Sequence, residues 1–136
     1  MGPFKVSHYG GYQYVVTFID DYSRYTAVYF MRTKDEVPSY LKRFHADLSS
    51  CLHANGLSAP ICIRTDNGGE YMSAEWAEIC DDAGTRHQTS TPYNPRQNGI
   101  AEITNRTICR IARAALSESG LSLNLWPEAL LHAATV

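Results

Sequence analysis

A chain of 136 residues, 44% hydrophobic and 19% charged, has an ordinary globular composition and the length for one core-bearing domain, residues 1–136. No apolar run approaches the ~20 residues of a membrane span and no signal-peptide pattern opens the chain, so a membrane partner is not expected. The net charge of −2 gives no global sign of a nucleic-acid partner, and Cys51, Cys62, Cys80 and Cys109 form neither a C-x-x-C nor a zinc-spaced cluster. Four reduced, mostly buried thiols in an intracellular protein are expected.

The elements alternate. Tyr12 to Ile19 is rich in aromatic and β-branched residues and predicts a strand. Asp20 to Ser23 predicts a turn, and Tyr25 to Met31 the returning strand of a hairpin. Apolar residues at Val37, Leu41, Phe44, Leu48 and Leu52 predict a helix from about Lys34 to Asn55, closed by Asn55-Gly56. Ala59 to Thr65 predicts a short strand. Ser73 is placed to cap a helix with Glu75 and Glu78 in its first turns and Gly84 beyond its end. Arg86 to Ser90 suits another short strand, and the two prolines and Asn-Gly of Thr91 to Gly99 predict a loop. A long helix from about Gly99 to Ser119 and a further one over Leu121 to Val136 complete the chain. Met1-Gly2-Pro3 carries no strand or helix signal, and both ends read as cut from something longer. Alternation after an initial hairpin predicts an α/β domain whose sheet mixes antiparallel and parallel strands.

Charge is unevenly spread. From Arg86 to Arg113 there are five arginines (Arg86, Arg96, Arg106, Arg110, Arg113) and one acid, Glu102, so this segment is +4 and the remainder −6. Around the long helix Glu102, Arg106, Arg110 and Arg113 fall within an arc of about 80°, with Ile103, Ile111 and Ala115 expected on a separate core-facing arc. By itself such a face is more commonly a solvated stripe, with a Glu102–Arg106 pair worth about 0.3–0.5 kcal/mol. Asp66 ends the strand read in Cys62-Ile-Arg-Thr65, where Gly68 and Gly69 let the chain turn away. Catalytic groups of open α/β sheets gather at such strand ends, although a plain Asp-Asn-Gly turn has the same letters.

Three groups of residues in order carry a resemblance. Phe18-Ile-Asp-Asp-Tyr-Ser-Arg-Tyr25, Thr65-Asp-Asn-Gly-Gly-Glu-Tyr71 and Thr91-Pro-Tyr-Asn-Pro-Arg-Gln-Asn-Gly-Ile-Ala-Glu102 with Asn105-Arg-Thr107 resemble the copia-type (LTR retrotransposon) integrase catalytic core of the DDE, ribonuclease H-like superfamily. Asp66 and Glu102 have 35 residues between them, the spacing of the last two acids of that signature, and Gly120-Leu121 with Leu125-Trp-Pro-Glu-Ala129 resembles its closing helices. The resemblance implies a ribonuclease H-like mixed sheet flanked by helices. It implies metal-dependent DNA 3′-processing and strand transfer, with a two-metal site for Mg²⁺ or Mn²⁺ in which Asp66 and Glu102 are catalytic ligands. DNA contacts are then expected from Asn105, Arg106, Arg110, Arg96 and Asn98, with Tyr93, Asn94 and Gln97 in a loop bracketed by Pro92 and Pro95. The implied partners are element-end and target DNA and, for a full-length integrase, further copies of itself. The implied location is intracellular, in the nucleus or a virus-like particle as part of a retroelement polyprotein.

The family's first catalytic Asp lies about three residues before a Gly-Pro. With Gly2-Pro3 in that place the matching residue falls upstream of Met1, so the first, central strand is expected to be largely missing, leaving the chain inactive alone and prone to aggregate. Asp20 and Asp21 match the hairpin turn instead. Two rivals stand beside the integrase reading: a non-catalytic nucleic-acid-binding or protein-interaction remnant of a retroelement, and a ribonuclease H-like nuclease that cuts without joining. Glu70 is read as holding the glycine turn and Trp76 and Trp126 as core. His45, His53, His87 and His132 lack metal-ligand spacing, and the Asn105-Arg-Thr107 sequon is incidental.

Overall fold

The computed structural model of the chain describes residues 1–54, 62–90 and 98–135, with the backbone alone over 51–54. Its elements are β1 (Tyr14–Ile19), β2 (Thr26–Met31), α1 (Val37–Ala54), β3 (Cys62–Thr65), α2 (Ala74–Asp82), β4 (Arg86–Thr89), α3 (Gly99–Ser119) and α4 (Trp126–Thr135). The chain divides into two compact units, Met1–Lys34 with Ile100–Val136, and Asp35–Gly99.

In the first unit β1 and β2 form an antiparallel hairpin in register from Tyr14↔Met31 to Ile19↔Thr26. The Asp20 carboxylate closes the turn by accepting from the Ser23 amide at 2.7 Å and hydroxyl at 2.6 Å, which holds its pKa below the ordinary value. The other edge of β1 is followed by the opening residues. The Met1 nitrogen donates to the Val15 carbonyl at 2.6 Å, the Val15 amide donates back at 3.0 Å, and the Phe4 amide donates to the Gln13 carbonyl at 2.7 Å. No sequence signal marked this pairing, because Gly-Pro and a lone Met lack strand propensity. The core joins Val15 of β1, Ile108, Ala112 and Leu116 of α3, and Trp126, Leu130 and Ala133 of α4. Phe4 stacks on Trp126 with centroids 4.5 Å apart, and the Trp126 indole donates to the Lys5 carbonyl at 2.7 Å. Trp126 is therefore core, as expected, with its one polar atom satisfied.

In the second unit β3 and β4 pair in parallel, Cys62↔Arg86 through Thr65↔Thr89, with α2 as the crossover. Ser73 caps α2 by accepting from the Trp76 amide at 3.2 Å, and Gly84 follows the helix at φ 65, in the left-handed region glycine enters without strain. Leu41 and Val37 of α1 and Trp76 and Cys80 of α2 are buried. Antiparallel and parallel pairing therefore coexist in an α/β chain, as the alternation of elements predicts. Among the described strands, none joins the β1–β2 pair to the β3–β4 pair.

Several boundaries differ from expectation. The first helix opens with a 3-10 turn, Lys34–Glu36, and the last with another, Leu123–Leu125. Residues 59–61 and the predicted loop at 91–97, with Arg96, Pro92, Tyr93, Asn94, Pro95 and Gln97, lie outside the described residues, as does Asn55-Gly56. Cys62 is exposed rather than buried, since it begins β3 on that strand's exposed side; Cys80 is buried and Cys109 partly so. Among the described residues no helix is long and apolar enough to cross a membrane.

Candidate active site and nucleic-acid face

β3 ends at Thr65 and delivers Asp66 to the surface. The Thr65 hydroxyl donates to the Asp66 carbonyl at 2.9 Å and lies 2.8 Å from His87 Nε2, while the Ser90 amide donates to the Thr65 carbonyl at 2.9 Å. Asn67 Nδ2 reaches the Ser90 carbonyl at 3.2 Å. The chain on both sides of Asp66 is therefore tied to Ser90, the residue after β4, by the Thr65 backbone on one side and the Asn67 side chain on the other. The Asp66 carboxylate is aimed by the Gly68 amide, which donates to Oδ1 at 3.0 Å, an Asx turn.

The structure brings a second acid to this turn. A Cβ placed on Gly68 would stand 3.0 Å from Asp66 Oδ1 and 3.0 Å from Glu70 Oε2, so the two carboxylates converge on the glycine from either side. Tyr71 lies beside them. Burial above all, then the charges of Asp66 and Glu70, pushes its hydroxyl up to about 12. Tyr71 also meets Trp76 edge-on at 5.0 Å. Glu70 thus belongs to the glycine turn, as the sequence reading placed it.

In the other unit Glu102 stands in the first turn of α3 and is exposed, as are Arg106, Arg110 and Arg113. The core-facing stripe is Ile108, Ala112 and Leu116. Ile103, expected among the core positions, is 62% exposed. At about 100° per residue it lies almost opposite that stripe, so the expectation was an error of phase. Asn105 is partly buried and its Oδ1 accepts the Thr17 hydroxyl at 2.8 Å. Asn98 donates to Ser90 Oγ at 3.4 Å, at the end of β4.

Asp66 and Glu102 thus occupy separate compact units. Asp20 and Asp21 serve the hairpin corner, the latter paired with Arg24 at 3.3 Å. Among the described residues no three His, Cys, Asp or Glu side chains cluster as a metal site. The donor chemistry at Asp66 still suits a hard cation, because carboxylate oxygens are what Mg²⁺ and Mn²⁺ prefer. Sequence reasoning missed Thr17, which looks like any β-branched strand residue, and the steric reason for Gly68.

Residues 1–95 match the family model described as the integrase core domain. The chain belongs to the integrase core family. This integrase core is 41% identical over 129 residues, 95% of its length, to the retrovirus-related Pol polyprotein from transposon TNT 1-94 of Nicotiana tabacum. It is 31% identical over 118 residues, 87% of its length, to the Pol polyprotein from transposon RE1 of Arabidopsis thaliana. It spans only 9% and 8% of those two polyproteins. Among solved structures it is similar to a chain of the simian T-cell lymphotropic virus intasome in complex with the PP2A regulatory subunit B56 gamma. That match has a TM-score of 0.66 and 28% identity, covering 96% of the integrase core and 43% of the other chain. The ribonuclease H-like architecture follows from this likeness together with the mixed pairing of the strands.

Proposed function

We propose that this integrase core is the copia-type catalytic part of a retrotransposon integrase, acting on DNA by metal-dependent 3′-processing and strand transfer. The observation that carries the reading is the Asp66 carboxylate, set at the end of β3 by the Gly68 amide at 3.0 Å, in a chain of this family. Asp66 and Glu102 are its metal-binding carboxylates. Bound Mg²⁺ or Mn²⁺ would activate the attacking oxygen and stabilise the leaving one. The chain's own residues orient and bind. Thr65, Ser90 and Gly68 hold Asp66 in place, while Arg106 and Arg110 offer exposed guanidinium groups to phosphates without reading sequence. Element ends and target DNA are the substrates, further copies the partners, and an intracellular particle or the nucleus the location.

The test is Mn²⁺ titration followed by NMR. Paramagnetic broadening is expected at both Asp66 and Glu102, with loss at both after either Asp66→Asn or Glu102→Gln. Broadening at only one carboxylate, or at neither, rejects the shared-metal reading. Salt-sensitive DNA binding that persists in that case identifies a non-catalytic nucleic-acid-binding remnant instead.

A further inference from the structure

We infer that Thr17 is a positioning residue for the nucleic-acid face of α3: by clamping the carbonyl of Asn105 it leaves the Asn105 amide nitrogen as a fixed donor for a phosphodiester oxygen beside Glu102. The inference rests on the nucleic-acid reading of α3 and names a residue to which the family signature assigns nothing.

Asn105 stands on the core side of α3, partly buried. Counting about 100° per residue from Glu102, the core stripe of Ile108, Ala112 and Leu116 occupies roughly 240–320°, and Asn105 falls at about 300°. It therefore sits at the N-terminal continuation of the core stripe, next to the charged face that Glu102 and Arg106 share. An apolar residue would serve packing better there. An amide in a partly buried position costs stability unless its groups are bonded. Only one is bonded within the protein: Oδ1 accepts the Thr17 hydroxyl at 2.8 Å, and Nδ2 has no protein partner among the described residues.

Thr17 is fixed more firmly than a surface donor would be. It lies inside β1, in register with Val28, and its neighbours Val16 and Phe18 are buried. A β-branched side chain in a strand has few χ1 choices, so its hydroxyl holds one direction. An Asn amide has two faces of opposite character, and fixing the carbonyl fixes the nitrogen. The bond spans 88 residues of sequence and joins the strand to the helical turn that follows Glu102. Two unspent N–H donors, one turn from a carboxylate and adjacent in sequence to the exposed Arg106, suit an anionic oxygen ligand. Helix packing alone does not call for them.

The experiment is a double-mutant cycle on the whole chain, read by anisotropy of a fluorescein-labelled duplex DNA at fixed low salt, with thermal midpoints taken in parallel. Thr17→Val is expected to weaken DNA binding about two- to ten-fold, the range of one neutral hydrogen bond. Thr17→Ser, which keeps the hydroxyl, should bind like the parent. Asn105→Asp preserves the acceptor for Thr17 but replaces the donor by an oxygen, and should bind more weakly than Asn105→Ala. In the Asn105→Ala background Thr17→Val should cost nothing further, because Thr17 acts through Asn105. Equal losses in both backgrounds overturn the inference, as does a lower thermal midpoint with unchanged affinity. If Thr17→Val does not fold, Asn105→Asp decides: parent-like binding by that variant is a refutation. Arg106→Ala with Arg110→Ala separates the two layers. Unchanged affinity there removes the nucleic-acid reading itself, whereas a loss there with none from Thr17→Val removes only the positioning role.

Discussion

At Gly68 the backbone angles are φ −58 and ψ 139, a conformation open to every residue, so freedom of rotation does not explain the glycine. Space does. The missing Cβ would sit 3.0 Å from atoms of both Asp66 and Glu70, and those atoms are side-chain ends that can yield. Gly68→Ala is therefore expected to separate stability from function. The substitution restricts the unfolded chain, which favours folding by about 0.4–1 kcal/mol, and this offsets much of the crowding. The thermal midpoint should move little. The Asp66 carboxylate, pushed off its line to the Gly68 amide, should lose Mn²⁺-induced broadening in NMR spectra. A large drop in midpoint with intact broadening would show that the glycine serves the fold instead. At Asn105 and Thr17 the same scale carries a different lesson: a single hydroxyl of ordinary strand type decides which way an amide faces.

Among the elements, legibility followed the strength of local signals. The hairpin, α2 and α3 were readable because β-branched runs, a Ser73 cap and helical periodicity each specify structure over a few neighbouring residues. The pairing of Met1 and Phe4 with β1 was not readable, because its hydrogen bonds are non-local and its residues have no strand propensity. Motif spacing is what singles out Asp66 and Glu102 as candidates. The Thr17–Asn105 bond is a tertiary fact that spacing does not encode, and the convergence of Glu70 on Gly68 depends on the side-chain geometry of the turn rather than on its letters. The phase of α3 shows the limit from another side, since Ile103 is apolar yet 62% exposed. The cap of α2 gives the prediction at this scale. Ser73 accepts from the Trp76 amide, and Trp76 packs its ring against Tyr71 and His87 at centroid distances of 5.0 and 5.5 Å. Ser73→Ala should cost about 0.5–2 kcal/mol by denaturant unfolding. Ser73→Asp should retain most of the stability, because its carboxylate accepts the same bond and meets the positive end of the helix. Loss of stability equal to that of Ser73→Ala would show that the cap contributes little.

For the molecule as a whole, acid is the stress to which the chain should respond first. His45 is 9% exposed on α1, and among the described residues its Nε2 has no hydrogen-bond partner. Burial lowers its pKa from the ordinary 6.5. His87, beside Trp76 and Thr65, is lowered by burial as well. Both groups are held neutral in the folded chain, whereas the unfolded chain protonates them near pH 6.5. The unfolded state then binds more protons, so stability falls as pH falls, beginning near the unfolded value and continuing down through the lowered folded values. Above that window these histidines leave stability flat. The carboxylate of Asp20, held below its ordinary value by the Ser23 hydrogen bonds, pulls in the same direction but only in stronger acid, near and below 3.8. Thermal midpoints measured from pH 7.5 to 5.5 should therefore decline, and in His45→Leu the decline should be shallower because one of the two proton uptakes is gone. His87 lies within hydrogen-bond distance of Thr65, the residue that carries Asp66, so His87→Gln should shallow the decline and also disturb the NMR signals of the Asp66 turn. A pH profile with no slope below 6.5 in the parent chain would mean that both imidazoles take up protons without loss of packing, and the tight core around α1 and α2 would have to be looser than the burial of Leu41 and Trp76 implies.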